Sequence, residues 1–406
     1  MSEWEPELEE LNLRESLAEK MGGSEKVERQ NQRGKLNVRE RIELLLDEGS
    51  FREIGKIAGK GTYDENGELL DLQPSNFIFG RGRIDSRTVV VAGDDFTVRG
   101  GAADASIISK QVSAEQMANE LHIPIIRLID GTGGGGSVKT LDSQEHSKGA
   151  ISDNTYGKGA RTYVPLNPGW EHVVSNLATV PTVSLCLGPV AGLGAARAVS
   201  SHYSVMVKGL SQLFVAGPPV VNALGVEEVD KESLGGSRIQ TRNGSIDDEV
   251  ESEEEAFETV RKFLSYLPSS VFEKAERLPT EDPVSRTDSD LNGIIPRDRR
   301  KVYKMRGIID SVFDKSSFFE MSSSFGRSAI TGFARLDGWP IAVLAGDPYH
   351  YGGGWTAEAA QKVVRFVDLA ETFHLPVVHL VDNLSLIHIS EPTRPRLISY
   401  AVFCLK

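Results

Sequence analysis

The chain repeats itself: residues 80–130 return at 332–382, displaced by 252 positions with no net gap. Gly80 pairs with Gly332, Arg83 with Arg335, Asp85 with Asp337, Val91 with Val343, Gly100 with Gly352 and Gly101 with Gly353. Further along, Ala105 meets Ala357, Val112 meets Val364, Ala118 meets Ala370, Pro124 meets Pro376, Leu128 meets Leu380 and Asp130 meets Asp382. These twelve are among fifteen identities in 51 positions, against about three expected from ordinary composition. The period is too long for a stacked solenoid, whose units run roughly 20–50 residues. It describes a duplicated domain. An earlier echo sets Asp47, Phe51 and Glu53 against Asp314, Phe318 and Glu320, so the repeat starts before residue 80, with a polar surface excursion inserted near 56–76 of the first copy.

Each copy reads as hairpin, helix, strand. In the first, 81–85 and 88–92 form a hairpin around Ser86-Arg87, Gly100-Gly101 opens a helix over 103–121, and 123–129 is a continuous apolar strand. The second copy follows with 334–337, 341–345, a helix over 356–373 and a strand over 377–381. Strands apolar on both faces and joined by helices predict an α/β fold with a covered sheet. Between the copies lie an apolar strand over 181–187, a small-residue helix, a strand over 211–215 and an acidic helix over 247–266. Its Glu251, Glu253, Glu254 and Glu255 are expected on a solvated face near the helix start rather than at a metal. Residues 2–31 read as one amphipathic helix, and Asn37 as the N-cap of a helix carrying Val38, Ile42, Leu45 and Leu46. A Pro-, Ser-, Asp- and Arg-rich stretch over 268–297 marks the boundary between domains.

A net charge of −13 argues against nucleic acid or an anionic membrane surface as partner, while leaving room for a local basic patch that receives a phosphorylated ligand. The acidic N-terminus has no apolar core, so no leader sequence is expected, and no run of about 18 apolar residues predicts a membrane span. The two cysteines, Cys186 and Cys404, lack metal-ligand spacing and form no disulfide framework. A cytoplasmic protein without a bound metal is expected.

Two glycine loops carry the visible chemistry. Asp130-Gly-Thr-Gly-Gly-Gly-Gly-Ser137 and Gly188-Pro-Val-Ala-Gly-Leu-Gly-Ala-Ala196 each follow a buried strand directly. Glycine permits positive φ and lets the backbone approach a ligand closely. A strand that turns through glycine into a helix leaves N–H groups unpaired at the helix start. Two such loops face to face can hold one developing negative oxygen. A nucleotide P-loop is not expected, because Val138 stands where glycine must precede Lys139. There is no G-x-S-x-G, and no triad order suggests a covalent nucleophile. Catalysis by backbone amides needs no side-chain signature.

The runs RGKLNVRERIELLLDEGSFREI, GRGRIDSRTVVVAGDDFTVRGG, GPVAGLGAA, FVAGPPVV and EEVDKESLGG resemble the carboxyltransferase (β) subunit of biotin-dependent acyl-CoA carboxylases, over about residues 20–383. The resemblance implies an α/β fold of tandem crotonase-like modules, each a ββα superhelix, with the second module incomplete. It divides the chain into a helical extension (1–30), an acyl-CoA-side module (31–280), a linker (281–296), a partial biotin-side module (297–383) and a non-family tail (384–406). It implies that a carboxyl group passes from carboxybiotin to the α-carbon of an acyl-CoA through an enolate held by backbone amides. Gly192, Leu193 and Gly194 would be the donors, and Gly133, Gly134, Gly135 and Gly136 would shape the facing wall. Lys35, Arg39 and Arg41 would either meet CoA phosphates or form a solvated helix face. Biotin would sit on a separate biotin carboxylase or carrier subunit, since no Ala-Met-Lys-Met signature is present. The family's dimer-based hexamer is the expected assembly.

Three departures qualify the resemblance. The first loop is longer than the family's Asp-Ser-Gly-Gly-Ala-Arg and lacks its arginine, and Leu193 stands where glycine is usual. No four-cysteine zinc ribbon appears, which argues against the bacterial acetyl-CoA carboxylase type. After Asn383 the chain reads LSLIHISEPTRPRLISYAVFCLK without a glycine, similar to translated adapter or vector sequence, where the repeat calls for a third glycine loop. Two other readings stay open: a subunit of a biotin-dependent decarboxylase running the transfer in reverse, and a non-catalytic CoA-binding fragment. Propionyl-, acetyl- and branched enoyl-CoA all remain candidate substrates.

Overall fold

The computed structural model describes residues 3–101, 107–131, 170–223, 225, 228–298 and 300–383. The expectations for Gly133–Gly136 and for the 384–406 tail lie outside the described residues. Two compact units divide at Glu276 and Arg277, with Thr372–His374 assigned to the first.

The first unit is built on a seven-stranded sheet. In chain order the strands are β1 (Arg52–Glu53), β2 (Gly59–Tyr63), β3 (Leu69–Pro74), β4 (Phe77–Ile84), β5 (Arg87–Asp94), β6 (Ile125–Ile129), β7 (Thr182–Cys186), β8 (Pro189–Ala191), β9 (Tyr203–Val207), β10 (Gln212–Phe214) and β11 (Asp248–Val250). The large sheet runs β1-β4-β5-β6-β7-β9-β11. It is antiparallel as far as β5 and parallel from there to β11. Every residue of β6, β7 and β9 is buried, the polar Arg127, Thr182, Ser184 and Ser204 included, as befits strands covered on both faces. A small parallel pair, β8 with β10, stands apart from the large sheet. Thus β7 and β9 each feed one strand into the large sheet and the next into the small one before a helix returns. That is the ββα turn of the crotonase-like fold.

Two apolar clusters hold this arrangement. Ala114 and Ala118 of the helix Ile108–Leu121 pack on Phe77, Phe79, Val90, Ala92 and Ile125. Ala195 and Ala198 of the helix Leu193–Val199 pack with Ile129, Cys186, Val190, Met206 and Leu213. Small side chains on both helices permit that close approach.

The second unit repeats the opening of the first as β12 (Phe319–Met321), β13 (Ala329–Leu336), β14 (Trp339–Gly346) and β15 (Val377–Leu380), in that order across one sheet. The helix Ala357–Thr372 precedes β15. The duplication holds at the level of single atoms. Asp85 and Ser86 turn the first hairpin with φ of 49° and 68°, and Asp337 and Gly338 turn the second with 52° and 77°. In each, an aspartate outside the hairpin accepts both turn amides: Asp47 at 3.0 and 2.8 Å, Asp314 at 2.9 and 2.7 Å. A Cβ on Gly80 would lie 2.2 Å from the Arg52 carbonyl oxygen, and one on Gly332 would lie 2.2 Å from that of Phe319. His122 caps its helix and His374 follows the end of its own by two residues, both in the left-handed region, at 54° and 58°. The identities in the sequence therefore mark places where backbone geometry leaves little choice.

Local expectations were revised in three places. The single N-terminal helix is two, Glu5–Glu19 and Ser24–Asn31. They break where a Cβ on Gly22 would lie 2.1 Å from the Thr97 carbonyl oxygen and where Gly23 takes φ of 96°. The hairpin turns one residue earlier than expected, at Asp85-Ser86, because tight two-residue turns need positive φ at both positions. The acidic helix starts only at Glu253, after β11, with Ser252 as its cap.

Candidate active site

The second glycine loop lies between the two sheets. Gly188 follows β7 and leads into β8, and Gly192 then carries the chain from β8 into the helix Leu193–Val199. Gly192 takes φ 60° and ψ −124°, a conformation that side-chain-bearing residues rarely adopt. Its N–H donates to the carbonyls of Phe214 at 3.3 Å and Val215 at 3.2 Å. Gly192 thus shapes the turn, and its own amide is engaged within the fold. The amides of Leu193 and Gly194 open the helix, where no carbonyl four residues back exists within the helix to receive them. Gly194 packs closely, since a Cβ there would meet Val190 Cγ1 at 3.3 Å. The Leu193 side chain is 55% exposed and takes no part in the core.

The far end of this short helix is held by a buried charge cluster. Arg127 on β6 donates to the carbonyls of Arg197 at 3.2 Å and Ser200 at 2.6 Å. It also makes a two-pronged pair with Glu115 at 2.8 and 2.9 Å. Asn176 donates to Glu115 at 3.0 Å. Burial alone would raise the Glu115 carboxyl, but Arg127 and Arg197 bring it below its ordinary value. A cation at a helix C-terminus satisfies its last carbonyls and opposes the helix dipole.

A second network lies where both loops begin. Asp130, the residue after β6, is fully buried and takes Lys35 Nζ at 2.7 Å and Arg41 Nη1 at 2.8 Å. Arg41, itself fully buried, also pairs with Glu253 and donates to the Leu187 carbonyl at 2.9 Å. Glu253 accepts the Leu36 amide at 3.0 Å. The Asp130 amide donates to Asp94 at 3.2 Å. Gly188 is glycine for a direct steric reason: a Cβ would lie 2.0 Å from Asp130 Oδ1 and 2.6 Å from Lys35 Nζ. One ion cluster thus sets residue 130 of the first loop against residue 188 of the second. Because Arg41 fixes the carboxylate, Gly188→Ala should destabilise the fold by about 1–3 kcal/mol, the usual range for forcing a methyl into a filled space. Urea unfolding would show it as a lowered midpoint with unchanged slope, and an unchanged midpoint would mean that the cluster relaxes.

Beside this cluster lies a cavity of about 400 Å³ lined by Lys26, Arg29, Arg33, Lys35, Arg99 and Lys231, together with Phe96, Thr97 and Gln212. Six cations converge here on a chain whose net charge is −13. Such a pocket suits a ligand with several phosphates. Lys35 belongs to both settings. It lines the cavity, lies 4.6 Å from the Phe96 ring centre and is 10% exposed, while its ammonium bonds Asp130. Burial pulls its pKa below the ordinary lysine range, and Asp130 offsets only part of that.

The structure sorts the sequence candidates. Lys35 reaches the cavity. Arg39 pairs with Glu53 at 2.8 Å and is absent from the cavity wall. The same pair recurs as Arg306 with Glu320 at the equivalent place in the second copy, so it belongs to the module rather than to a ligand. Arg41 is neither a solvated residue nor turned to the cavity, and Glu253 leaves the expected solvated face to neutralise it. Lys26, Arg29, Arg33, Arg99 and Lys231 were missed. Lys26, Arg29 and Arg33 recur at intervals of three and four, and that basic stripe was the available signal. Cys186 is buried, and its thiol is pushed up to about 12, so it is no nucleophile. Among the described residues, no group of three or more His, Cys, Asp and Glu could hold a metal ion, and no helix is long and apolar enough to cross a membrane.

Comparison with known proteins gives concordant matches. Residues 29–384 match the carboxyl transferase domain. The propionyl-CoA carboxylase beta chain of Roseobacter denitrificans is 32% identical over 378 residues, covering 92% of this chain and 70% of that one. The methylmalonyl-CoA decarboxylase subunit alpha of Veillonella parvula is 30% identical over 373 residues, 91% of this chain and 69% of that one. Among solved structures, the transcarboxylase 12S hexamer with methylmalonyl-CoA bound superposes with a TM-score of 0.80 at 26% identity, over 99% of this chain and 73% of that one.

Proposed function

Because the chain belongs to the carboxyl transferase family and is a carboxyltransferase of the biotin-dependent acyl-CoA carboxylase type, we propose that its first unit binds a short acyl-CoA and holds the thioester as an enolate. The observation that carries this reading is the juxtaposition of a six-cation cavity with the cluster from which both glycine loops start. The cations take the nucleotide phosphates of CoA. The thioester oxygen is received by the Leu193 and Gly194 amides, which are fixed in direction before substrate arrives. Such donors stabilise charge as it develops at no cost in reorganisation, each on the order of 3 kcal/mol. Gly133–Gly136 are proposed as the facing wall.

Biotin, borne by a separate subunit, supplies the carboxyl group. Assembly into a dimer-based hexamer is proposed on the likeness to the transcarboxylase hexamer. The names of the relatives make propionyl-CoA and methylmalonyl-CoA the pair to test first. A decarboxylase role is the second reading, favoured by the Veillonella relative, and it would use the same site in the opposite direction.

The test is carboxyl transfer between methylmalonyl-CoA and free biocytin, followed by the appearance of propionyl-CoA. Turnover that depends on biocytin supports the reading, and none from a folded protein that binds propionyl-CoA refutes it. The cavity is tested separately. Arg33→Glu with Lys231→Glu should raise KM for acyl-CoA about tenfold or more, the loss expected for one or two charge-assisted phosphate contacts. KM for the corresponding acyl-pantetheine, which has no nucleotide, should not move.

A further inference from the structure

We infer that Lys35 is a positioning residue that couples the phosphate cavity to the origin of both glycine loops, so that the nucleotide half of CoA raises turnover and not only affinity. This rests on the reading of the cationic cavity as the site of the CoA phosphates. Lys35 is the one member of the buried cluster that also lines the cavity: Asp130 and Arg41 are fully buried, while Lys35 is 10% exposed. Its ammonium bonds the Asp130 carboxylate at 2.7 Å and lies over Phe96 on the cavity wall, where a phosphate entering the cavity would compete with that carboxylate.

Release of Lys35 from Asp130 does not strand a buried charge. Asp130 keeps Arg41 at 2.8 Å, and Arg41 keeps Glu253. The penalty of an unpaired buried carboxylate, which normally locks such clusters, is therefore avoided for this one bond. The space that changes is critical. A Cβ at Gly188 would lie 2.6 Å from Lys35 Nζ and 2.0 Å from Asp130 Oδ1, so the ion pair is pressed against the backbone that opens the second loop. One residue beyond Asp130, the Gly131 carbonyl accepts the Ala191 amide at 3.4 Å. When Lys35 turns to a phosphate, the residues at both loop origins lose a close neighbour together. A ligand can shift such an equilibrium only through unequal affinity for its two states, and the inequality here is the phosphate–Lys35 contact. Binding energy from a remote, unreacting part of the substrate is thereby used at the reacting centre.

The experiment compares methylmalonyl-CoA with S-methylmalonyl-pantetheine, and adds 3′-phospho-ADP in trans, in the biocytin assay of the full chain. In the unsubstituted protein, kcat for the pantetheine thioester should fall about tenfold below that for the CoA thioester, because lost remote binding appears in kcat. Added 3′-phospho-ADP should recover part of that deficit. Lys35→Met keeps Asp130 paired with Arg41; its kcat ratio between the two thioesters should collapse towards one, with 3′-phospho-ADP no longer activating. Lys35→Arg should restore the ratio. Equal kcat for both thioesters in the unsubstituted protein, or an unchanged ratio in Lys35→Met, overturns the coupling. The activation in trans needs no variant, so a poorly folding Lys35→Met still leaves a decision. Failure of the underlying reading looks different: Arg33→Glu with Lys231→Glu would then leave the calorimetric affinity for 3′-phospho-ADP unchanged, and the inference falls with it.

Discussion

Leu193→Pro should lower kcat by about 10²–10³-fold, the loss measured when one oxyanion donor is removed elsewhere, while leaving the fold in place. Leu193 is the first residue of the helix Leu193–Val199, and proline is well accepted at that position because its missing N–H has no intrahelical partner there. The side chain it replaces is 55% exposed, so little packing is lost. Substrate binding through the cationic cavity lies elsewhere, and KM for acyl-CoA should stay within about threefold, as for loss of an interaction made chiefly in the transition state. Unchanged kcat in a protein that melts normally would remove Leu193 from the donor pair and leave the backbone account without support.

Arg41→Met should be the most destabilising single substitution among the residues discussed, by about 3–5 kcal/mol. The methionine fits the space of the side-chain stem but leaves Asp130 and Glu253 facing each other's region without the guanidinium that neutralises both. The Leu187 carbonyl also loses its donor. Lys35 can compensate only at Asp130, from which Glu253 is separated by Arg41 itself. Guanidinium titration should show the loss directly. Restoration by the further change Glu253→Gln, which removes one of the stranded charges, would identify charge burial rather than packing as the cause. A loss below about 1 kcal/mol, the level of a surface pair, would mean that water reaches the cluster.

Much of the fold was legible because duplication preserves what the backbone cannot vary. Gly80 and Gly332 recur because a strand carbonyl occupies the place of a Cβ, and Asp85 and Asp337 because a tight turn needs positive φ. The glycine loops were legible for the same reason, and Gly188 and Gly192 are glycines for steric and conformational causes visible in the structure. That the Gly192 amide is engaged within the fold was not legible: whether an amide is engaged depends on which carbonyl lies opposite it, here those of Phe214 and Val215.

The sequence by itself determined the duplication, the α/β character, the order of strands and helices in each copy, and the placing of glycine loops directly after buried strands. These follow from periodicity and from the conformations that glycine permits, both of which are local. Only the tertiary structure decided which charges meet. Arg41 joins Asp130 and Glu253 across separations of 89 and 212 residues, and the cavity gathers cations from Lys26 to Lys231. Arg39, two residues from Arg41, is drawn instead to Glu53. Charge pairing acts through space over a few ångströms and carries no periodic trace along the chain, so a lysine bound for a ligand and an arginine bound for the core look alike until the sheet brings their partners to them.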